Sequence, residues 1–366
     1  MKFLMVSPKN RTVYNFRGDL IKEIQKKGFE VVVTGPDMND IEKIEELSVK
    51  FVEIPMNKTG TSLVNDLKYC IKLKRIIKAE KIDATLGYTV KPVVFGAIAA
   101  RLAGVKNINS MVTGAGYLFV AKGFRVKILS YLVRIIYWFA FVCSKRVIFH
   151  NNDDKLEFCS KRLVKECKCS VVNGSGVDLQ KFAPTAYPKT ITFFMLARLL
   201  KSKGVLEYLQ AAKNIKHRYP KIKFALLGSY DNTPDALSAE LIEPYVEEGI
   251  IERYEESSDV RPYYINCSVY VLPSYREGVP RTILEAMAMA RPIITTDTNG
   301  CRDTVIDGYN GILVPIKDAG ALEEKMQYFI EHPDKIEEMG INSLTLCRQK
   351  FDVSKVNQNM LEIMGI

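Results

Sequence analysis

The sequence predicts an α/β protein built from two doubly wound parallel sheets. Short apolar runs alternate with amphipathic segments along the chain, a pattern typical of parallel strands connected by helices. The alternation is interrupted once, over residues 176–189, and then starts again. Because 366 residues exceed the usual size of a single hydrophobic core, two domains of comparable length are expected.

The first series of apolar runs begins at the N-terminus, and the second begins after Pro184 and Pro188. Strands are predicted at residues 2–6, 30–34, 84–87 and 147–150 in the first series, and at 190–195, 223–228, 268–272 and 292–296 in the second. The expected domains are residues 1–185 and 186–352, with a helix over 353–366 that packs back on the first domain. Ligands of such sheets bind beyond the carboxyl ends of the strands, so the two Rossmann-like domains are expected to face a central cleft.

Composition restricts the class of partner. A net charge of +10 favours an anionic partner such as a nucleotide, a phospholipid or a nucleic acid, although scattered lysines usually mark solvated faces. The eight cysteines form no Cys-x-x-Cys pair, which is typical of reduced cytosolic thiols. None of the three histidines is spaced near Cys167 and Cys169, so no metal site is expected there. The N-terminal apolar run is too short for a secretory signal and is interpreted as a first strand.

Two glutamates, Glu277 and Glu285, flank the start of a strong helix pattern in residues 273–288. If the helix begins near Pro280, a favoured first-turn residue, Glu277 lies at its mouth and Glu285 about a turn and a half inside. The N–H groups and positive dipole end of such a helix suit a diphosphate, and the carboxylates suit a ribose and a sugar hydroxyl. The alternative is that Glu285 is a surface helix residue and that Glu277 only stabilises the helix N-terminus.

Two cations, Arg198 and Lys203, follow the equivalent strand earlier in the second half of the chain. A diphosphate leaving group gains charge as its bond breaks, so preplaced cations stabilise the transition state more than the ground state. Each charge-assisted contact contributes about 1.5–3 kcal/mol. Alone, this spacing also fits a solvated basic turn, but together with the glutamate pair it indicates a diphosphate site.

These motifs resemble those of glycosyltransferase family 4, a retaining family of GT-B fold, and the likeness extends over nearly the whole chain. The family's E-x7-E element matches Glu277 and Glu285. The resemblance implies that Glu285 binds the ribose of a nucleotide-sugar donor and that Glu277 contacts the transferred sugar. It also implies that Arg198 and Lys203 bind the donor diphosphate and act with Glu277 in catalysis. Further donor contacts are expected at Gly204, Gly278, Val279 and Pro280.

The resemblance also bears on metal use and on the course of the reaction. No Asp-x-Asp sequence is present, which argues against a divalent metal bridging the diphosphate, so no cofactor is expected besides the UDP-sugar substrate. The family likeness suggests front-face attack without a protein nucleophile. Two features depart from the family pattern. The loop over residues 8–17 lacks the glycine pair of many members, and the Gly-x-x-Glu element appears as Gly300-Cys-Arg-Asp303, which leaves a role for Asp303 unassigned.

Within the family, the likeness is strongest to bacterial enzymes that extend polyprenyl-diphosphate-linked sugars in O-antigen, capsule or N-glycan assembly. It is carried by residues 13–17, 112–119, 147–151 and 300–302. By this likeness the donor is expected to be a UDP-N-acetylhexosamine such as UDP-GalNAc, with UDP-galactose and UDP-glucose as alternatives. The expected acceptor-binding residues are Asn15, Arg17, Thr113, Gly114, Tyr117 and Asn151. An ordinary tight turn is the alternative explanation for Gly114.

Residues 122–146 combine basic side chains with an apolar run that contains Trp138 and Phe139. The run is shorter than the roughly 20 residues that span a bilayer, whereas an interfacial helix needs only an apolar face, aromatic anchors and basic flanks. The segment therefore predicts either a helix on the inner face of the cytoplasmic membrane or a core helix of the first domain. The basic residues concerned are Lys122, Arg125, Lys127, Arg134, Lys145 and Arg146.

Two other classes of function compete with transfer. A nucleotide-sugar epimerase would share the GT-B architecture, but the cation pair together with the E-x7-E element favours transfer. A non-catalytic scaffold is disfavoured because all four donor residues are present. Nucleic-acid binding is disfavoured because the basic cluster is too apolar for a surface of interleaved cations and exposed aromatic rings.

Overall fold

The computed structural model describes residues 1–56, 62–114 and 124–366. It separates into two compact units. The first contains Met1–Ser175 together with Ser354–Ile366, and the second contains Gly176–Val353. Each unit has its own sheet of parallel strands with helices in the connections, so the predicted fold class is confirmed.

The first unit has a seven-stranded parallel sheet in the order β3-β2-β1-β4-β5-β6-β7. Strand β1 pairs with both β2 and β4, so the strand order reverses direction between β1 and β4. The strands are β1 (Lys2–Val6), β2 (Glu30–Gly35), β3 (Lys50–Glu53), β4 (Ala84–Tyr88), β5 (Asn107–Val112), β6 (Arg146–Phe149) and β7 (Cys169–Val171). The helices are α1 (Asn10–Phe16), α2 (Gly18–Lys26), α3 (Ile41–Glu45), α4 (Leu63–Ala79), α5 (Val90–Ala103), α6 (Phe124–Cys143) and α7 (Asn152–Ser160).

Apolar side chains cover both faces of the first sheet. One face packs against α4, α5, α6 and α7, and the other packs against α2. The C-terminal helix α14 (Val353–Met364) covers the second face, where Met360 and Leu361 lie in the same buried cluster as Phe3. Burial of each such side chain contributes about 1.5–3 kcal/mol. The end of the chain is thus part of the first unit.

Helix α6 has two different faces. Tyr137 and Phe141 are buried in the first core and stack with ring centroids 5.2 Å apart. Trp138 and Phe139 are 46% and 53% exposed, and Val142 beside them is also exposed. The same helix is therefore a core helix on one side and an apolar surface on the other. In the described ranges, no helix is long and apolar enough to cross a bilayer.

The second unit has a six-stranded parallel sheet in the order β10-β9-β8-β11-β12-β13. Its strands are β8 (Thr192–Leu196), β9 (Lys223–Leu227), β10 (Glu252–Tyr254), β11 (Val269–Leu272), β12 (Ile293–Thr296) and β13 (Gly311–Val314). Its helices are α8 (Val205–Arg218), α9 (Glu243–Glu247), α10 (Arg261–Ile265), α11 (Arg281–Ala288), α12 (Ala319–Glu331) and α13 (Asp334–Lys350). One buried apolar cluster joins the strands and helices of this unit.

The second unit begins before Pro184, earlier than the boundary expected at residue 186. Val177 and Phe182 are buried in its core, which attaches the segment ahead of the prolines to this unit. The backbone N–H of Val177 donates to Phe351 O over 2.8 Å. Prolines mark a break in secondary structure, whereas the unit boundary is set by where side chains are buried.

A buried arginine fastens the proline-bearing segment to the second unit. Arg291 is fully buried, and its guanidinium donates to Thr185 Oγ1 over 2.7 Å and to Ala186 O over 3.1 Å. Its Nε donates to Tyr264 O over 3.1 Å, and its guanidinium carbon lies 4.5 Å from the centre of the Tyr187 ring. One buried side chain thus donates to a buried carbonyl of α10 and to two acceptors of the proline-bearing segment, and so joins the two.

Replacing Arg291 with leucine is expected to lower the free energy of unfolding by about 3 kcal/mol or more, because it removes the hydrogen bonds to Tyr264 O, Thr185 Oγ1 and Ala186 O together. Urea denaturation monitored by circular dichroism measures this change. The matched control is Arg348→Leu, on the exposed surface of α13, which we expect to change the free energy by less than about 1 kcal/mol. Equal effects of the two substitutions would contradict a stabilising role for the buried guanidinium.

Candidate active site

The predicted donor residues lie at the carboxyl edge of the second sheet. Strands β8 and β11 are hydrogen-bonded neighbours, with Val269 paired to Phe193 and Tyr270 to Phe194. Because parallel strands end at the same edge, the loops that follow β8 and β11 are adjacent. Arg198, Lys203 and Glu277 all lie on these two loops. Strand order thus places residues that are far apart in the sequence on neighbouring loops.

An ion pair joins the two loops directly. The Lys203 ammonium contacts Glu277 Oε1, and the two side chains are 20% and 15% exposed. The backbone N–H of Glu277 donates to Asn299 O over 3.1 Å, which ties the β11 loop to the loop after β12. Burial raises the pKa of the nearby Cys301 thiol to about 11, so this thiol is protonated at neutral pH. The thiol therefore adds no charge beside the lysine and the glutamate.

Arg198 has a different partner. Its Nη1 donates to Asp231 Oδ2 over 2.8 Å, and its side chain is 59% exposed. Burial of Asp231 opposes ionisation, but the hydrogen bond and the charge of Arg198 outweigh it, so the pKa of Asp231 lies below its ordinary value. The structure places Arg198 on the same loop as Lys203, with each cation held by its own carboxylate.

Glu285 is buried, so the alternative of a surface helix residue is wrong. Helix α11 begins at Arg281 with Pro280 as its N-terminal capping residue, close to the expected start. Arg281 Nε donates to Glu285 Oε1 over 3.2 Å, and the Tyr264 hydroxyl donates to Oε2 over 3.2 Å. Burial raises the pKa of Glu285, while the charge of Arg281 opposes that effect. Each oxygen of the carboxylate thus accepts one hydrogen bond that fixes its position.

Two glycines allow the loops of this edge to touch through their backbones. Gly204 has φ +73°, and a Cβ there would lie 2.1 Å from Pro273 O. Gly300 has φ +77°, and a Cβ there would lie 2.2 Å from Gly278 O. Both distances are far shorter than any real Cβ contact, so only glycine fits. Asp303 lies close by and accepts a hydrogen bond from Gly300 N over 3.2 Å.

Sequence reasoning missed the residues that hold these loops in place. Ser202 is the central one: its carbonyl accepts from Tyr275 N over 2.9 Å and from Ser274 Oγ over 3.2 Å. Its backbone N–H donates to Asp235 Oδ2 over 3.2 Å. No local pattern marks Asp231 or Asp235. The Arg281–Glu285 pair, by contrast, has the i, i+4 spacing of facing helix residues and was detectable in the sequence.

The expected acceptor residues lie at the carboxyl edge of the first sheet, as far as they are described. Arg17, between α1 and α2, is buried, and its guanidinium carbon lies 5.2 Å from the centre of the Tyr88 ring. Asn151 is buried and caps α7 by accepting from Asp154 N over 2.7 Å. Asn15 is exposed on α1, and Thr113 and Gly114 follow β5 half-buried. Tyr117 lies outside the described residues.

Comparison with known proteins shows the family of this chain. The family models "Glycosyl transferase 4-like" and "Glycosyl transferases group 1" match residues 2–151 and 177–344. The UDP-Gal:alpha-D-GlcNAc-diphosphoundecaprenol alpha-1,3-galactosyltransferase of Escherichia coli is 30% identical over 286 residues, 74% of this chain and 72% of that protein. The chain belongs to the family 4-like, group 1 glycosyltransferases. This confirms the resemblance derived from its motifs.

Two further similarities extend over almost the whole glycosyltransferase. The N,N'-diacetylbacillosaminyl-diphospho-undecaprenol alpha-1,3-N-acetylgalactosaminyltransferase of Campylobacter jejuni is 27% identical over 345 residues, 90% of each chain. The crystal structure of Anabaena Alr3699/HepE in complex with UDP is similar with a TM-score of 0.80 at 17% identity and covers 100% of both chains. At that identity the structural likeness concerns the fold alone, and the expected GT-B fold is confirmed.

Replacing Gly204 with alanine is expected to destabilise the glycosyltransferase more than the same change at Gly249. Both glycines have positive φ, +73° and +68°, but a Cβ at Gly249 would meet nothing within 4 Å. Both variants therefore incur the backbone cost of about 1–2 kcal/mol, and only Gly204→Ala adds a steric cost of about 1–3 kcal/mol. Urea denaturation of the two variants measures the difference, and equal destabilisation would show that the Gly204–Pro273 contact is easily relaxed.

Proposed function

We propose that the glycosyltransferase moves a sugar from a UDP-sugar to a polyprenyl-diphosphate-linked saccharide in the assembly of a cell-surface polysaccharide or glycan. The donor we favour is a UDP-N-acetylhexosamine such as UDP-GalNAc, with UDP-galactose or UDP-glucose as alternatives. The Campylobacter jejuni and Escherichia coli relatives support this class, since the names of both describe transfer to a sugar that is linked to undecaprenol by a diphosphate. The observation that carries the proposal is the Lys203–Glu277 pair beside Arg198 at one sheet edge.

In this proposal the cations bind the donor diphosphate. The ammonium of Lys203 and the guanidinium of Arg198 start on the same loop, each beside a carboxylate. A diphosphate adds negative charge next to both cations, and this charge grows on the leaving phosphate as the bond to the sugar breaks. Fixed cations therefore stabilise the transition state more than the ground state, without the cost of reorganising solvent. Arg198 exchanges Asp231 for phosphate oxygens, which its exposed position permits.

The two glutamates have different tasks in this scheme. Glu285 binds the ribose hydroxyls, because Arg281 and Tyr264 fix its carboxylate while further lone pairs on the two oxygens can accept hydrogen bonds. Glu277 orients the transferred sugar by accepting hydrogen bonds from its hydroxyls, and Lys203 holds its carboxylate in position. The acceptor hydroxyl attacks from the side of the departing phosphate, which takes its proton, so that configuration is retained. No metal ion is assigned to the site.

The central test is transfer from radiolabelled UDP-sugars to a short-chain prenyl-diphosphate-linked N-acetylhexosamine in excess EDTA. We expect a labelled lipid product from the wild-type protein. Glu277→Gln is expected to lower kcat about a hundredfold or more while UDP affinity stays nearly unchanged, because the substitution removes contacts to the sugar and not to the nucleotide. Arg198→Ala and Lys203→Ala are each expected to lower kcat/KM about 10- to 150-fold, which corresponds to one charge-assisted contact.

Lys201→Ala is the matched control, because Lys201 is exposed on the same loop as Lys203. Its activity is expected to equal that of the wild type. Full activity of the Glu277, Arg198 and Lys203 variants would refute the site assignment. An epimerised donor or released free sugar, without any lipid product, would favour the epimerase alternative over transfer.

The proposal includes peripheral attachment to the inner face of the cytoplasmic membrane through α6. Trp138 and Phe139 present exposed rings that contact each other at 5.0 Å, and Arg134 and Lys161 border the same patch. Lys168 donates to the carbonyl of Ser144 over 2.7 Å just beyond the end of α6. Exposed aromatic rings beside basic side chains suit an anionic lipid surface, where each cation near the headgroups adds about 1 kcal/mol.

Replacing both Trp138 and Phe139 with serine is expected to lower binding to phosphatidylglycerol-containing vesicles at least about tenfold. Burial of each ring in the lipid contributes about 1.5–3 kcal/mol to the free energy of binding, and serine removes this contribution. Co-sedimentation with sucrose-loaded vesicles measures the bound fraction. The control is Ile341→Ser, an exposed apolar residue on α13 of the second unit, which we expect to bind vesicles like the wild type. Unchanged vesicle binding by the double variant would exclude this face of α6 as the attachment surface.

A further inference from the structure

A buried histidine that sequence reasoning did not assign lies at the carboxyl edge of the first sheet. His150 directly follows β6, and the preceding residue, Phe149, is the register partner of Val112 on β5. His150 is therefore beside Thr113, one of the expected acceptor residues. Its side chain is buried, with only 6% of the residue exposed. Its Nε2 atom has no hydrogen-bond partner within the part of the chain that the structure describes.

A cation is close to this imidazole. Arg17 is 95% buried at the same edge, with its guanidinium over the ring of Tyr88, the last residue of β4. Burial, and after it the charge of Arg17, lowers the pKa of His150 to about 3. The imidazole is thus neutral at physiological pH, where it can form hydrogen bonds but is not an acid. A neutral imidazole and a fixed positive charge therefore lie near each other below the protein surface.

An unsatisfied buried nitrogen is unfavourable, by about 1–3 kcal/mol, and native structures rarely keep one without a ligand or a water molecule. An oxyanion fits this place chemically, because its oxygen atoms accept hydrogen bonds from both an imidazole N–H and a guanidinium. Arg17 lies over Tyr88 at the end of β4, and β1 and β4 flank the point where strand order reverses, the usual ligand position in such sheets. His150 follows β6, two strands farther along the same edge. Thr89, which follows Tyr88, has φ +67°, a strained conformation for a β-branched residue.

We infer that His150 is a binding residue for a phosphate group, donating its Nε2–H to a phosphate oxygen while Arg17 supplies the positive charge. In the proposed reaction this group is the diphosphate of the lipid-linked acceptor. The assignment to the acceptor rests on the proposed function, whereas the phosphate site itself rests on the two buried side chains. Free pyrophosphate and the diphosphate of UDP carry the same phosphate chemistry as the lipid-linked acceptor, so the binding of all three ligands must be compared.

The chain has three histidines, at positions 150, 217 and 332, so nitrogen-15 histidine labelling gives a simple imidazole spectrum. The wild-type protein is titrated separately with a prenyl-diphosphate-linked N-acetylhexosamine, with inorganic pyrophosphate and with UDP. We expect the first two to shift the His150 resonances, which are identified by their loss in His150→Phe, and we expect UDP to leave them in place. A shift caused by UDP alone would overturn the assignment to the acceptor.

Kinetics supply the second measurement. His150→Phe removes the donor and is expected to raise the KM for the lipid acceptor about tenfold, with kcat and the KM for the UDP-sugar unchanged. His150→Gln keeps an N–H donor and is expected to restore most of the loss. His217→Phe, at an exposed position on α8, is the control and is expected to behave as the wild type.

The two proposals fail in different ways. An unchanged acceptor KM in His150→Phe, together with unshifted wild-type resonances, would mean that His150 binds only buried water and would overturn the inference. If pyrophosphate shifts the His150 resonances but no lipid acceptor is ever glycosylated, the phosphate site stands and the proposed function fails. Because the titrations use wild-type protein, misfolding of a variant would not affect them.

Discussion

Backbone contact among the loops that follow β8, β11 and β12 is the constraint on which the second unit's site depends. Gly204 lies against Pro273, and Gly300 lies against Gly278, at distances that no side chain permits. This contact brings Lys203 and Glu277 together, and the carbonyl of Ser202 adds hydrogen bonds across the same gap. Sheet order makes the loops neighbours. Because glycine has no side chain, the backbones of these loops touch at Gly204 and Gly300, and this contact positions the charged groups.

The two sheet edges hold their polar groups differently. In the second unit, Arg198 and Lys203 are each paired with a carboxylate, so both cations are oriented by partners within the unit. In the first unit, the buried His150 Nε2 has no hydrogen-bond partner among the described residues. Paired charges keep their geometry without a ligand, whereas an unsatisfied buried nitrogen gains most when a ligand arrives. This difference suits the two proposed roles, donor binding in the second unit and binding of an acceptor phosphate in the first.

Apolar periodicity was sufficient to locate β1, β2, β4, β6, β8, β9, β11 and β12, which have long buried runs. Four of the strands it did not reveal, β3, β7, β10 and β13, are the edges of the two sheets and are partly exposed, so their sequences carry less apolar signal. Strand β5 is central but contains Asn109 and Ser110. These polar residues are buried through hydrogen bonds to Thr85 O and to the hydroxyl of Ser144, which a one-dimensional pattern does not show.

The sequence by itself determined the fold class and the family, and it predicted the four residues of the proposed donor site, because periodicity, turn residues and motif spacing are local properties of the chain. Only the tertiary structure decided that Lys203 pairs with Glu277 while Arg198 pairs with Asp231, and that Glu285 is buried against Tyr264. It also brought Arg17 and His150 to one sheet edge. The physical reason is that such contacts join residues far apart in the chain, and strand order and burial, which arise only on folding, select the partners.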